Sequence, residues 1–292
     1  MPRDVIRAVL AAAVAAALSG CAGTAPPPAV APIVESVAPA PGTTPTAPPA
    51  PRPRQPPPLR ILLTDDDGAD AGGIRAVRAA LARAGHDVVT VAPDGNRSGS
   101  GAALSHEQEL QDTDDAGVRT VGGSPADAVL AGLAAMRGTG RPPDLVVSGT
   151  NLGRNTGSGI TESGTVGAAV TAAHAGFPAI AVSTDRAEDA RDCEPTAQFV
   201  VRLVGALAGA RPPFAPGLVL NVNHPTRPAS GVTWLPAAAI TLDGDRMEFA
   251  GGEPDDESDG GLGRGRATIA ELDADGRPGT PASVRDRLAG LR

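Results

Sequence analysis

Between Leu59 and Val222 the chain is built from short apolar runs separated by stretches with helical periodicity, and this alternation limits the fold more than any other feature. The runs are Leu59-Arg60-Ile61-Leu62-Leu63, Asp87–Val91 (DVVTV), Asp144–Val147 (DLVV), Pro178–Ser183 (PAIAVS) and Leu218–Val222 (LVLNV), with a shorter one at Val118–Val121. Runs of this length that are apolar at successive positions suit strands covered on both faces. Between them, Gly73–Ala84 places Ile74, Val77, Ala80 and Leu81 on one helical face and stops at Gly85. Ser124-Pro125 has the form of a helix start, with Ser as cap, Pro at the first position and Asp127 in the first turn of a helix reaching about Arg137. Gly164–Ala175 and Glu194–Ala208 read as two more helices. The expected fold is α/β, a mostly parallel sheet with helices on both faces, Rossmann-like and three-layered. Residues 223–292 read as an irregular C-terminal extension, with a strand near Ala267–Ala270 and a loop over the acidic, Gly-rich 251–265.

Residues 1–58 do not share this pattern. Arg3 and Arg7 precede an apolar run, Ala8–Leu18, and then Leu18-Ser19-Gly20-Cys21. A basic start, a short apolar core and small residues at a cleavage point describe a secretory signal, and the run is too short to span a bilayer. LSGC resembles a bacterial lipobox, which implies that 1–21 is a lipoprotein signal peptide and that a lipidated Cys21 joins the protein to a membrane. Ala22, rather than Asp, is compatible with outer-membrane sorting. Residues 22–58 hold 14 Pro in 37 positions and read as a disordered linker, about 115 Å at full extension. The remaining segment, 59–292, is long enough for one α/β domain.

Composition excludes several classes of function. Every basic residue is Arg, so mechanisms that require a catalytic Lys are excluded, Schiff bases and the Gly-Lys-Ser/Thr phosphate loop among them. A net charge of −8 and an aromatic content of 2% argue against a nucleic-acid polymer as partner. Without Cys21 only Cys193 remains, so no internal disulfide can form, and the four His (His86, His106, His174, His224) match no zinc spacing.

Polar, small-residue loops follow three of the strands: Thr64-Asp65-Asp66-Asp67-Gly68, Pro93–Gly99 (PDGNRSG) and Ser148–Asn155 (SGTNLGRN). In a parallel sheet these loops share the carboxyl edge, where open α/β folds bind ligands. Adjacent carboxylates repel one another, and a cation relieves that repulsion. Oxygen donors without thiol or imidazole select a hard ion, one Mg²⁺ or Mn²⁺. Ser163-Gly164-Thr165 opens the Gly164 helix, where free N–H groups and the positive dipole end suit phosphate.

Taken together, these segments resemble the SurE family (survival protein E) of metal-dependent 5′-nucleotidases. They are ILLTDDDG (61–68), APDGNRSGSGAALS (92–105), GGSPADAV (122–129), VVSGTNLGRNTG (146–157), SGTVGAA (163–169), GFPAIAVS (176–183) and LNVNHP (220–225), in family order. The resemblance implies a SurE-like fold for 59–292, metal ligation by Asp66, Asp67, Ser98 and Asn151, catalysis at Asp66 and Asp67, and substrate contacts at Asn96, Asn155, Ser163, Gly164 and Thr165. The expected activity is metal-dependent hydrolysis of phosphomonoesters, nucleoside monophosphates first among them. A homodimer is a further expectation. Four features depart from the family: Asp65 stands where Asn is usual, Glu162 where Tyr is usual, the C-terminal pattern is reduced to Gly265–Leu272, and the lipobox implies the cell envelope although the family is usually cytoplasmic. The alternative is a catalytically silent, surface-anchored relative that binds a nucleotide or partner. Asp65-Asp66-Asp67-Gly68 also reads as the D-x-D-G of haloacid-dehalogenase-type phosphatases, but that family needs a Lys this chain lacks. There is no G-x-S-x-G elbow for an α/β-hydrolase.

Overall fold

A computed structural model describes residues 57–209, 217–250 and 258–274, with Arg285, Leu288 and Leu291. The chain divides into two units, Met1–Arg52 and Pro53–Arg292. The first unit, and with it the expected signal and most of the expected linker, lies outside the described residues.

The described elements alternate in chain order: β1 (Arg60–Thr64), α1 (Gly72–Arg83), β2 (Asp87–Pro93), β3 (Gln111–Asp112), β4 (Val118–Val121), α2 (Pro125–Gly138), β5 (Leu145–Leu152), α3 (Gly159–Glu162), α4 (Gly164–His174), β6 (Ala179–Asp185), α5 (Glu194–Ala208), β7 (Leu218–Pro225), β8 (Val232–Trp234), β9 (Ala238–Asp243), β10 (Arg246–Phe249), α6 (Ser258–Gly263) and β11 (Ala267–Asp273). The strands form one sheet in the order β10-β9-β11-β7-β6-β5-β1-β2-β4-β3, with β8 beside β11. From β4 to β7 the pairing is parallel throughout. β11 runs antiparallel to β7, β3 to β4, and β10 to β9.

Alternating side chains of the central strands feed two cores. Ile61 and Leu63 of β1 pack with Ile74, Val77 and Leu81 of α1 and Phe199, Val200 and Leu203 of α5. Leu62, between them, points the other way, toward Val129, Leu133 and Met136 of α2 and Val166 and Val170 of α4. The sheet is therefore covered on both faces, which explains why its strands read as apolar without alternation.

The helix placement fixes where the chain changes direction. β1–α1–β2 steps one way along the sheet with its helix on the first face. β5–α4–β6 steps the other way with its helix on the second. Two right-handed connections that diverge in this manner leave a crevice at the carboxyl ends of β1 and β5. The connection from β6 through α5 to β7 continues in the direction of β5–α4–β6 but crosses to the first face, and so has the opposite hand.

The segment beyond Val222, expected to be irregular, is largely regular where it is described. β7 extends to Pro225, β11 lies inside the sheet, and β9 and β10 form a hairpin over the two-residue loop Gly244–Asp245. Gly244 takes φ +63°, as the first position of a type II′ turn requires. The 251–265 loop expectation is corrected in part: Ser258–Gly263 is the helix α6, and residues 251–257 lie outside the described residues. Among the described residues no helix is long and apolar enough to cross a membrane.

Candidate active site

The loops after β1, β2 and β5 meet at this crevice. Gly68 makes the approach of the first two possible: it takes φ +98°, and a Cβ there would lie 3.0 Å from the Gly95 backbone. The Arg97 N–H donates to the Asp66 carbonyl at 2.7 Å, tying the second loop to the first.

The three aspartates differ in environment. Asp67 is half-buried, and both of its oxygens are held: Oδ1 accepts from Asn96 Nδ2 at 2.9 Å and Oδ2 from the Leu152 N–H at 3.1 Å. One carboxylate thus joins all three loops. Burial, the largest influence on it, raises its pKa, and the repulsion of Asp66 adds to this. Asp66 is buried, and its Oδ1 accepts from Thr165 Oγ1 at 2.5 Å. Asp65 is fully buried. Its Oδ1 accepts from the Asp66 N–H at 3.0 Å, whereas its Oδ2 has no partner among the described residues. Burial first, then the charges of Asp66 and Asp67, push its pKa well above the usual carboxylate range.

Asn96 bridges within its loop as well, since its Oδ1 accepts from the Ser98 N–H at 2.9 Å. The Ser98 side chain is exposed, and its hydroxyl makes no hydrogen bond to a described residue. A register shift of β5 on β6 between Ser148 and Asn151 re-aims the end of the strand. Asn151 Nδ2 donates to the Gly153 carbonyl at 2.8 Å, which leaves its Oδ1 as the uncommitted atom.

Ser163, Gly164 and Thr165 reach the same place from α4. Ser163 Oγ caps the helix by accepting from the Val166 N–H. Gly164 allows a close approach: a Cβ there would lie 2.6 Å from Ser100 Oγ and 2.8 Å from Asp66 Cβ. Ser100 Oγ is itself buried without a partner among the described residues, a residue the sequence reading did not single out. Glu162, at the end of α3, is exposed, and its carbonyl accepts from the Gly101 N–H.

Asn155 is buried and clamped from two strands. Its N–H donates to Asn223 Oδ1 at 2.8 Å. Its carbonyl accepts from Asn221 Nδ2 at 2.9 Å and Asn223 Nδ2 at 3.1 Å, and its own Nδ2 donates to Ser183 Oγ at 2.9 Å. Asn221 and Asn223 were missed as functional residues. Two Asn at alternate positions of an otherwise apolar strand were the signal that could have found them.

Two groups near the site are not reactive. Cys193 is buried, and that burial pushes its thiol up to about 11, the wrong direction for a nucleophile. His224 Nδ1 lies 2.7 Å from the Pro225 carbonyl, and burial lowers the ring to about 4, so it is neutral near pH 7.

The donor set fits a hard divalent ion. The uncommitted oxygens are carboxylate, hydroxyl and amide, and the buried Asp65 Oδ2 beneath them is a polar atom without a partner among the described residues. Among the described residues no group of three or more His, Cys, Asp or Glu side chains forms a cage.

The family model for survival protein SurE matches residues 61–244, which hold all of these loops. The chain belongs to the SurE family. It is 42% identical over 182 residues to a protein of Gloeobacter violaceus named 5′-nucleotidase SurE, covering 60% of this chain and 67% of that one. It is 41% identical over 177 residues to the 5′/3′-nucleotidase SurE of Edwardsiella ictaluri, covering 60% and 66%. The chain thus spans about two thirds of the length of these relatives. The crystal structure of the SurE protein from Aquifex aeolicus superposes with a TM-score of 0.62 at 30% identity, covering 75% of this chain and 94% of that one.

Proposed function

We propose that the chain is a phosphomonoester hydrolase that acts on nucleoside monophosphates with the help of one Mg²⁺ or Mn²⁺. The observation that carries this reading is the Asp67 carboxylate, hydrogen-bonded at once to the loop of Asn96 and the loop of Asn151, in a chain of the SurE family. Asp66, Asp67, Ser98 and Asn151 would hold the ion. When bound, such an ion supplies Lewis-acid polarisation of a phosphoryl oxygen.

The protein's own groups do the remaining work. The N–H groups of Gly164 and Thr165, in the first turn of α4, face charge that grows on the phosphoryl group and need not reorganise to meet it. Thr165 Oγ1 holds Asp66 in one orientation, and Asn96 holds Asp67. The clamp of Asn221 and Asn223 fixes the backbone of Asn155, and Ser183 Oγ holds its side-chain Nδ2. Asp65, without exposed surface, supports the site from below rather than orienting water.

The test is phosphate release from a panel of nucleoside monophosphates with Mg²⁺ or Mn²⁺. Release that EDTA abolishes, and that Asp67→Ala lowers by at least about 100-fold, supports the reading. No release from any member of the panel supports the silent alternative.

The envelope location belongs to the same proposal and rests on residues 1–21. Lipidation of Cys21 should incorporate labelled fatty acid, and Cys21→Ser should prevent it. Equal labelling of the variant would remove the anchor from the account. The expected homodimer is tested by sedimentation of the folded chain.

A further inference from the structure

Beside the crevice, at the carboxyl ends of β6 and β7, lies a second cavity of about 340 Å³ lined by Arg154, Asp185, Arg186, Pro225, Thr226, Arg227, Leu262 and Gly263. Three guanidinium groups face one carboxylate there, in a chain whose net charge is −8. Arg154 is already engaged in an interaction of its own, so Arg186 and Arg227 carry the argument.

Arg186 is 84% exposed and meets Asp185 only at 3.9 Å. It also takes φ +56°, a left-handed backbone that side chains other than Gly, Asn and Asp rarely adopt. Such a conformation costs free energy and persists where placing the residue matters. Arg227 is exposed and makes no hydrogen bond or ion pair to a described residue. Asp185 is the register partner of Pro225, so one side of the cavity is set by the β6–β7 pairing itself.

The cavity adjoins the first site along the same edge. Arg154 stands between Gly153, which holds the Asn151 amide, and Asn155. Asn151 pairs with Ser183, two residues before Asp185 on the neighbouring strand. With strands about 4.8 Å apart, the β7 side of the cavity lies on the order of 10 Å from Asn151. Guanidinium groups bind phosphate and carboxylate through paired N–H donors and keep their charge at any working pH.

We propose that this arginine-lined cavity receives a second anionic group of the substrate, so that the preferred substrates are phosphomonoesters carrying another phosphate or carboxylate on the order of 10 Å from the one that is cleaved. The proposal rests on the hydrolase reading and deepens it, because one substrate then spans both sites.

The experiment compares the full chain with its Arg186→Glu/Arg227→Glu variant on a 5′-phosphorylated dinucleotide (the monophosphate) and the same dinucleotide carrying a 3′-terminal phosphate (the bisphosphate), because the two phosphates of a single nucleoside 3′,5′-bisphosphate stand too close together to reach both sites. For the wild type kcat/KM should be at least about 10-fold higher with the bisphosphate. The variant should lose that advantage and change less than about 3-fold on the monophosphate, in keeping with removal of one charge-assisted contact. Equal efficiencies on both substrates, or equal losses in the variant, would overturn the proposal. Monophosphate turnover that responds to inorganic phosphate in the wild type alone would assign the cavity to a free anion and overturn the substrate-borne group.

A calorimetric titration with the bisphosphate in EDTA keeps the two readings apart. Binding that survives Asp67→Ala but is lost in the double variant supports the cavity even where no phosphate is released. Binding unchanged by the double variant counts against it.

Discussion

Single residues in this molecule act mainly through what surrounds them. Asp127 opens α2 and reads in sequence as an ordinary first-turn acid. In the fold it is buried and accepts hydrogen bonds from Ser105 N and Oγ, His106 N, Gln108 Nε2 and Ser124 N. Burial would raise its pKa, but these donors outweigh it and hold the carboxyl at about 2. It therefore favours the fold above the unfolded carboxylate range, and that stability is lost as pH falls toward 2. Asp127→Asn should cost about 1–2 kcal/mol at pH 7 once solvent beside the 105–108 loop is allowed for, measurable by urea denaturation. His224 has a depressed pKa of a different kind. Burial holds it neutral to about pH 4, whereas the unfolded chain takes up its proton near 6.5, so stability falls as pH drops through that interval. The loss amounts to about 3 kcal/mol, and His224→Gln should flatten the profile between the two values. Asp65 gives a third prediction. Because its burial disfavours the charge, Asp65→Asn should stabilise the metal-free protein by about 1 kcal/mol or more and reduce the stabilisation gained on adding Mn²⁺. Thermal unfolding with and without the ion checks both parts.

Elements place these residues, and much of that placement is legible in the sequence. β1, β2, β5, β6 and β7 stand out because both of their faces are covered, so their apolar character is continuous. The helices α1, α2, α4 and α5 begin and end within a residue of where caps and periodicity put them. The later strands lack that signal. In β9 only Ile240 is fully buried, and both residues of β3 are exposed, so their composition is that of a loop. The site divides along similar lines. Clustered Asp and small polar residues after strong strands are visible from spacing alone, whereas Ser183, Asn221 and Asn223 are buried polar groups whose partners come from distant segments, and spacing cannot show them. Ser100 matters only because Gly164 admits it. Gly164→Ala would push a methyl group against Ser100 Oγ and Asp66 Cβ, and should lower kcat/KM by at least about 10-fold through displacement of the helix start, with little change in far-ultraviolet circular dichroism. Unchanged kinetics would separate the α4 N-terminus from the chemistry.

At the scale of the whole molecule, topology brings the loops together. Connections on opposite faces diverge between β1 and β5, and the crevice they leave gathers groups from residues 64 to 165. The same edge carries the arginine-lined cavity, so a substrate with two anionic groups would lie along the sheet's rim. The central claim is that Asp66, Asp67, Ser98 and Asn151 hold one divalent ion in that crevice. Calorimetric titration of the metal-free chain with Mn²⁺ tests it most directly, because the readout does not depend on turnover. The account predicts one Mn²⁺ per chain, with affinity lowered more than about 100-fold by Asp67→Ala, beyond what loss of an outer-shell partner produces. Unchanged Mn²⁺ affinity in that variant would contradict it.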